Sequence, residues 1–138
     1  MLEGQLKGSK ILFISDFLRV DENAFHVVLS DQRKALIVNA MNRAGVPESD
    51  YAFTVMYPFI PPGMNLQNAD EDQKVLARLA CKTLINESEA NVLVPLGEHA
   101  LNFITGLENI NKQHCSILKV KAEFGARKAI PLLHPEYV

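Results

Sequence analysis

Asn91-Val-Leu-Val-Pro-Leu96-Gly97, followed without a break by Glu98-His-Ala-Leu-Asn-Phe-Ile-Thr-Gly106, decides how this chain folds. A short apolar run closed by a turn residue reads as a buried strand. Pro95 within it is awkward for a fully paired interior position, because it has no N–H to give a ladder. Gly97 turns the chain straight into a short helix, Glu98 to Thr105, which Gly106 ends. A strand that feeds a helix through a tight turn is half of a βαβ unit, and parallel neighbours require such a crossover.

The same unit recurs upstream. Lys10-Ile-Leu-Phe-Ile-Ser15 is a second apolar run, and residues 16 to 29 read as a loop carrying Phe17, Phe25 and Val27. Ser30 offers an N-cap for a helix in which Leu36, Ile37, Ala40, Met41 and Ala44 recur at helical spacing, with Gly45 as its stop. Tyr51 to Tyr57 is aromatic and β-branched, a further strand. Pro58, Pro61, Pro62 and Gly63 forbid regular structure and give a stiff loop running to Asn65 and Asn68. Asp70 with Gln73 is a capping pair for a helix bearing Val75, Leu76, Leu79, Ala80, Thr83 and Leu84. Ser116–Lys121 and Lys128–Leu133 read as two last strands before His134-Pro135. The expected architecture is α/β: a three-layer αβα sandwich with a short, mainly parallel central sheet, one domain over residues 1–138.

Bulk properties narrow the class. The 138 residues are one domain's worth, 48% hydrophobic and 22% charged, which excludes a disordered or collagen-like chain. A net charge of -2 announces no polyanion partner, so a nucleic-acid binder of this composition must concentrate its cations locally. Two cysteines, Cys81 and Cys115, are too few for a four-cysteine metal site, and no metal or cofactor is expected. No run approaches the roughly 20 apolar residues of a membrane span, and Met1 to Lys10 lacks a signal peptide's apolar core. These readings give an intracellular protein, cytoplasmic or viral in a host cytoplasm, with no membrane partner.

In an open parallel sheet, ligands gather beyond the carboxyl ends of the strands. There the sequence places Ser15-Asp16-Phe17, Tyr57 through Asn65, Gly97-Glu98-His99 and His134-Pro135. A carboxylate to orient water, an imidazole to stabilise developing negative charge and a ring to stack on a planar ligand make a credible site. Each has a structural reading as well: Asp16 as a turn former, His134 as a strand end, Phe25 as a satellite of the core. The glycine-rich dinucleotide turn, the P-loop and the nucleophile elbow are all missing from the sequence.

Taken in order, these landmarks resemble the uracil-DNA glycosylase superfamily, its family 4 and phage relatives in particular. Lys10 to Asp16 resembles the strand leading into that branch's glycine–glutamate–x–proline–glycine motif, and Phe25 falls near its stacking phenylalanine. Pro61-Pro62-Gly63-Met64-Asn65 resembles its proline–proline–glycine–asparagine loop. Val92 to Gly106 is similar to its strand, leucine–glycine turn and helix, and Ile130 to Pro135 to its closing histidine–proline motif. The resemblance implies a flipped nucleotide whose glycosidic bond is hydrolysed. His134 would support the leaving base and Asp16 would serve as the acid. Phe25 and Phe17 would offer rings to the base, and Pro61, Pro62, Gly63, Asn65, Gly97 and Pro135 would lie in DNA-contacting loops. Relatives of this kind continue through a further loop and helix past the position of Val138, as though this were a trimmed or compact viral form.

Three departures shape the expected function. Ser15-Asp16-Phe17-Leu18-Arg19 stands where a glycine-containing turn belongs. Thr54 or Val55 occupies the place of the uracil-reading asparagine, and neither offers both a donor and an acceptor amide. The branch's iron–sulfur cluster needs four cysteines. The candidates are therefore a DNA glycosylase of altered base preference, a catalytically silent module of the same fold that contacts DNA or a replication protein, and an unrelated nucleotide-binding or scaffold α/β domain.

Overall fold

The structure is a computed structural model that describes residues 1–137. Its strands are β1 (Leu2–Glu3), β2 (Ile11–Phe17), β3 (Tyr51–Tyr57), β4 (Val92–Pro95), β5 (Leu118–Lys119) and β6 (Lys128–Ala129). Its helices are α1 (Val20–Phe25), α2 (Asp31–Arg43), α3 (Glu71–Glu87), α4 (Glu98–Thr105) and α5 (Ile110–Gln113), with short 3-10 turns between. The strands form one mixed sheet in the order β1-β3-β2-β4-β6-β5. β3, β2, β4 and β6 run parallel, while β1 and β5 lie antiparallel on the two edges.

Both faces of the sheet are covered, which is why its inner strands β2, β3 and β4 are mostly apolar instead of alternating. Leu12, Ile14, Ala52 and Leu93 pack with Cys81 and Ile85 of α3 and with Ala100, Phe103 and Ile104 of α4. The opposite face sets Phe13, Phe53, Val55, Val94 and Leu96 against Ile37 of α2 and the Val28–Leu29 segment. Phe13 stacks on Phe53 at 5.0 Å, and Tyr51 meets both rings edge-on. The α/β class and the helices on both faces follow the sequence reading.

Local signals are realised with changes. Ser30 Oγ accepts the Arg33 N–H at 3.3 Å and starts α2. Asp70 caps α3 by accepting the Asp72 N–H at 2.8 Å, in place of a reciprocal pairing with Gln73. The proline loop is tied to itself: Asn65 Oδ1 accepts the Gln67 N–H at 3.0 Å, and Asn68 Nδ2 donates to Pro62 O at 3.0 Å. Leu18 N–H donates to Phe59 O at 3.1 Å, joining this loop to the end of β2.

Three readings are corrected. Residues 16 to 29 are not a loop: Asp16 and Phe17 finish β2, and Val20–Phe25 forms α1. Glu22 makes that helix possible, because its fully buried carboxylate accepts the N–H groups of Arg19 and Ser30, each at 2.9 Å. The last two strands shrink to Leu118–Lys119 and Lys128–Ala129. Pro131 interrupts the second, although Ile130 and Leu132 still donate to Leu93 O and Pro95 O. The edge strand β1 was not foreseen. It approaches β3 so closely that a Cβ on Gly4, at φ +106°, would stand 2.8 Å from Ala52 Cβ.

Ile14 is fully buried at the centre of the sheet. Ile14→Ala is expected to lower unfolding free energy by about 2–5 kcal/mol, since the covering helices limit collapse of the cavity. Urea denaturation checks this: the midpoint should fall with the m-value unchanged.

Candidate functional site

From β2 the chain crosses one way to β3, and the next strand, β4, lies on the other side of β2. That reversal makes the carboxyl ends of β2 and β4 a topological switch point, where an open sheet leaves a crevice. Leu96 N–H donates to Ile14 O and Gly97 N–H to Leu132 O, each at 2.9 Å, so three segments end in register. Ser15, Asp16, Gly97 and His134 meet there. Gly97 has φ +89°, and a Cβ on it would come within 3.4 Å of His134 Cβ. The turn needs glycine for its backbone, and the imidazole needs it for room.

Asp16 and His134, 118 positions apart in sequence, are neighbours: His134 Nε2 is 3.6 Å from Asp16 Oδ1 and 2.9 Å from Ser15 Oγ. The Glu136 N–H donates to His134 Nδ1 at 3.1 Å, which assigns the proton of the neutral ring to Nε2, facing Ser15. His134 is 1% exposed. Burial, helped by the charges of Arg19 and Arg33, pushes its pKa down to about 4 against the opposing pull of Asp16 and Glu136. At neutral pH the imidazole is uncharged.

Arg19 fills the centre of the rim and is 3% exposed. Its Nη1 is bonded to Asp16 Oδ1 and donates to Phe17 O at 2.7 Å. Its Nε donates to Glu136 Oε2 at 2.6 Å, and Nη2 ion-pairs with the same oxygen at 2.5 Å without hydrogen-bond alignment. The guanidinium also lies over the Phe17 ring, 4.3 Å from its centroid. Burial by itself lowers an arginine's pKa, but the bonds to Asp16 and Glu136 outweigh it, so Arg19 is held firmly protonated. Beside this cluster Arg33 Nη1 reaches Glu22 Oε2 and Asp21 Oδ1, each at 3.1 Å. The main surface cavities among the described residues lie elsewhere, and neither Asp16 nor His134 lines them.

The remaining candidates are dispersed. Phe25 stands 77% exposed on α1, on a shallow cavity shared with Asp21, Val27, Ser30, Asp31 and Gln32. Phe17 is buried beneath Arg19, with its ring centroid 6.5 Å from that of His99. Thr54 is buried in β3 and donates to Met1 O at 2.6 Å; Val55 belongs to the core around Phe13. Both side chains are taken up by sheet packing. Pro61 is buried, while Pro62, Gly63 and Asn65 are exposed on their turn. Pro135 lines an apolar cavity with Leu36, Met41 and His114.

The sequence reading puts Ser15 at the rim without giving it a role, and passes over Arg19 and Glu136 as members of the cluster. Arg19 stands in the segment where a glycine-containing turn is expected, yet its backbone lies at φ -87°, ψ 170°, ordinary extended geometry. The available signal was charge: a lone arginine among Asp16, Asp21 and Glu22 needs a reason to be there. Both cysteines are free, Cys81 buried with its thiol pushed up to about 12 by desolvation and Cys115 exposed. Among the described residues no three His, Cys, Asp or Glu side chains are grouped to hold a metal, and no helix is long and apolar enough to cross a membrane. Compared with known proteins, the chain matches no family model and no curated protein.

The depressed His134 pKa sets a pH dependence. Between the folded value near 4 and the unfolded value near 6.5, only the unfolded chain carries this proton, so stability falls as pH drops through that window. Between pH 7 and 4.5 the wild type is expected to lose about 2 kcal/mol more than His134→Gln. Denaturation midpoints measured across that range check it, and parallel slopes for the two proteins would contradict it.

Proposed function

We propose that this chain is a catalytically silent module of the uracil-DNA glycosylase fold, retained for binding within DNA replication or repair machinery. The observation that carries this reading is Arg19, seated between Asp16 and Glu136 with His134 sealed behind it. A glycosylase must admit an extruded base to its acid and its imidazole. Here the protein's own guanidinium occupies that space. Asp16 Oδ1 is already committed to Arg19 and to the Phe17 N–H at 2.7 Å, which leaves it poorly placed to orient water. Charge favours a protein partner over DNA. Of the cations near the rim, Arg33 is paired with Asp21 and Glu22, and Lys34 with Glu3. The exposed α1 helix offers apolar side chains instead, Val20 at 69% and Phe25 at 77% exposure.

One observation supports a second reading, an active glycosylase. The acid and the neutral imidazole stand side by side, with the ring proton on Nε2, as departure of an anionic base requires. In that reading Arg19 swings out when DNA binds.

Single-stranded oligonucleotides carrying one deoxyuridine, deoxyinosine or deoxyxanthosine separate the two. After incubation and alkali treatment, no strand scission above the protein-free control is expected. Scission by the wild type that disappears in His134→Ala would establish the active reading instead.

A further inference from the structure

The sheet ends at β5, and among the described residues no strand pairs with the outer side of that strand. Lys128 N–H donates to Asn91 O at 3.0 Å and Ile130 N–H to Leu93 O at 2.9 Å, so both residues turn their backbones toward β4. Ala129 is then the residue that exchanges backbone bonds with Leu118, and alternation turns the N–H and C=O groups of Ile117 and Lys119 outward. Among the described residues neither has a backbone partner on that side. Such an edge is a template for one more strand.

Side chains make the edge selective. Lys119 and Lys128 are direct cross-strand partners in the non-hydrogen-bonded position, where side chains come closest. Both are exposed, and among the described residues no carboxylate pairs with either ammonium. Like charges set opposite each other cost stability, so the pair favours an anion from outside. The nearby acids belong to the other face. Leu118 packs into the core under α3 and α4, which puts Lys119 on the opposite side of the sheet. Glu98 and Glu108 line the cavity beside α4, and Glu123 pairs with Lys82 of α3 at 3.6 Å, all on the Leu118 side. On the lysine side α2 carries one acid, Asp31 in its first turn, and ends in Arg43. Ile117, 75% exposed and two residues before Lys119, adds an apolar contact to the lysine face.

Two copies of this chain pairing edge to edge would bring the same lysines together, which sets β5 against self-association. A nucleic acid would answer the lysines but would leave the outward N–H and C=O groups and Ile117 unused. We infer that β5 receives an acidic, extended segment of a partner protein as a further strand. Main-chain hydrogen bonds to Ile117 and Lys119 hold it, a carboxylate opposite Lys119 reaches both lysines, and an apolar side chain two positions along packs on Ile117. This surface is separate from the rim, and cleavage of oligonucleotides has no bearing on it.

The test uses the full chain and a fluorescein-labelled peptide in which Glu, Val and Glu alternate with Thr, followed by anisotropy at low salt. Saturable binding is expected, and none when Lys replaces Glu in the peptide. Lys119→Glu and Lys128→Glu should each weaken binding about tenfold or more while unfolding at or above the wild-type temperature, since each turns a repulsive pair into an attractive one. N-methylation of one alternate set of peptide residues should weaken binding about tenfold or more, and of the other set little, because only one set turns its N–H groups to the edge. Absence of saturable binding, or undiminished binding in the Lys119→Gln/Lys128→Gln double variant, would overturn the surface. Equal effects of the two methylation patterns would overturn strand addition. Tighter binding of a single-stranded oligonucleotide, or self-association lost in the double variant, would give the edge another occupant and overturn the partner assigned to it.

Discussion

A buried arginine shared by two carboxylates holds the two ends of this sheet's rim together. Arg19 joins the end of β2, through Asp16 and Phe17, to the turn that follows His134, through Glu136. Taking such charges out of water costs several kcal/mol each, and only close pairing returns it. The pairing of Arg19 with Asp16 is therefore conditional: removing either strands the other in a dry site, at a cost of about 3–5 kcal/mol, whereas Glu136 keeps its contact with solvent. Glu22 extends the same logic. Fully buried, it is satisfied by two backbone N–H groups and by Arg33, so α1 is held onto the sheet by ionic and backbone contacts while its apolar side chains stay outside.

Much of the fold was readable because the determinants are local. The apolar runs of β2, β3 and β4, the Ser30 and Asp70 caps and the Gly97 turn each announce themselves within a few residues. What escaped depends on distant partners. Leu2–Glu3 becomes a strand only because β3 offers an edge, and Leu118–Lys119 only because β6 does. α1 escaped for a different reason: at six residues it is too short to be stable from propensity, and it stands on the burial of Glu22.

The site divides in the same way. That Asp16 and His134 converge follows from strand order, since parallel neighbours bring their carboxyl ends to one rim whatever their separation in sequence. What fills the space between them does not follow from strand order. Arg19 takes an unstrained extended backbone where the resemblance leads one to expect a glycine-containing turn, so its consequence lies in a side chain reaching across the rim, not in a distorted turn. Thr54 and Val55 were placed by alignment to a motif, but in β3 they stand opposite Ile14 and Ser15, within the sheet. Their surroundings were decided by packing, which an alignment of short motifs does not see.

The protonation states of the cluster depend on one another. Asp16 alone would draw a proton onto His134; Arg19 opposes this by adding positive charge beside the ring and by engaging the same carboxylate oxygen. Glu136 acts twice, its side chain on Arg19 and its N–H on His134 Nδ1. The result is a neutral imidazole with a fixed tautomer, secured first by burial and then by the arginine that closes the site. Asp16 cannot at once hold Arg19 and stay free for a ligand at this rim. Any chemistry at this rim would have to begin by exchanging the arginine for substrate.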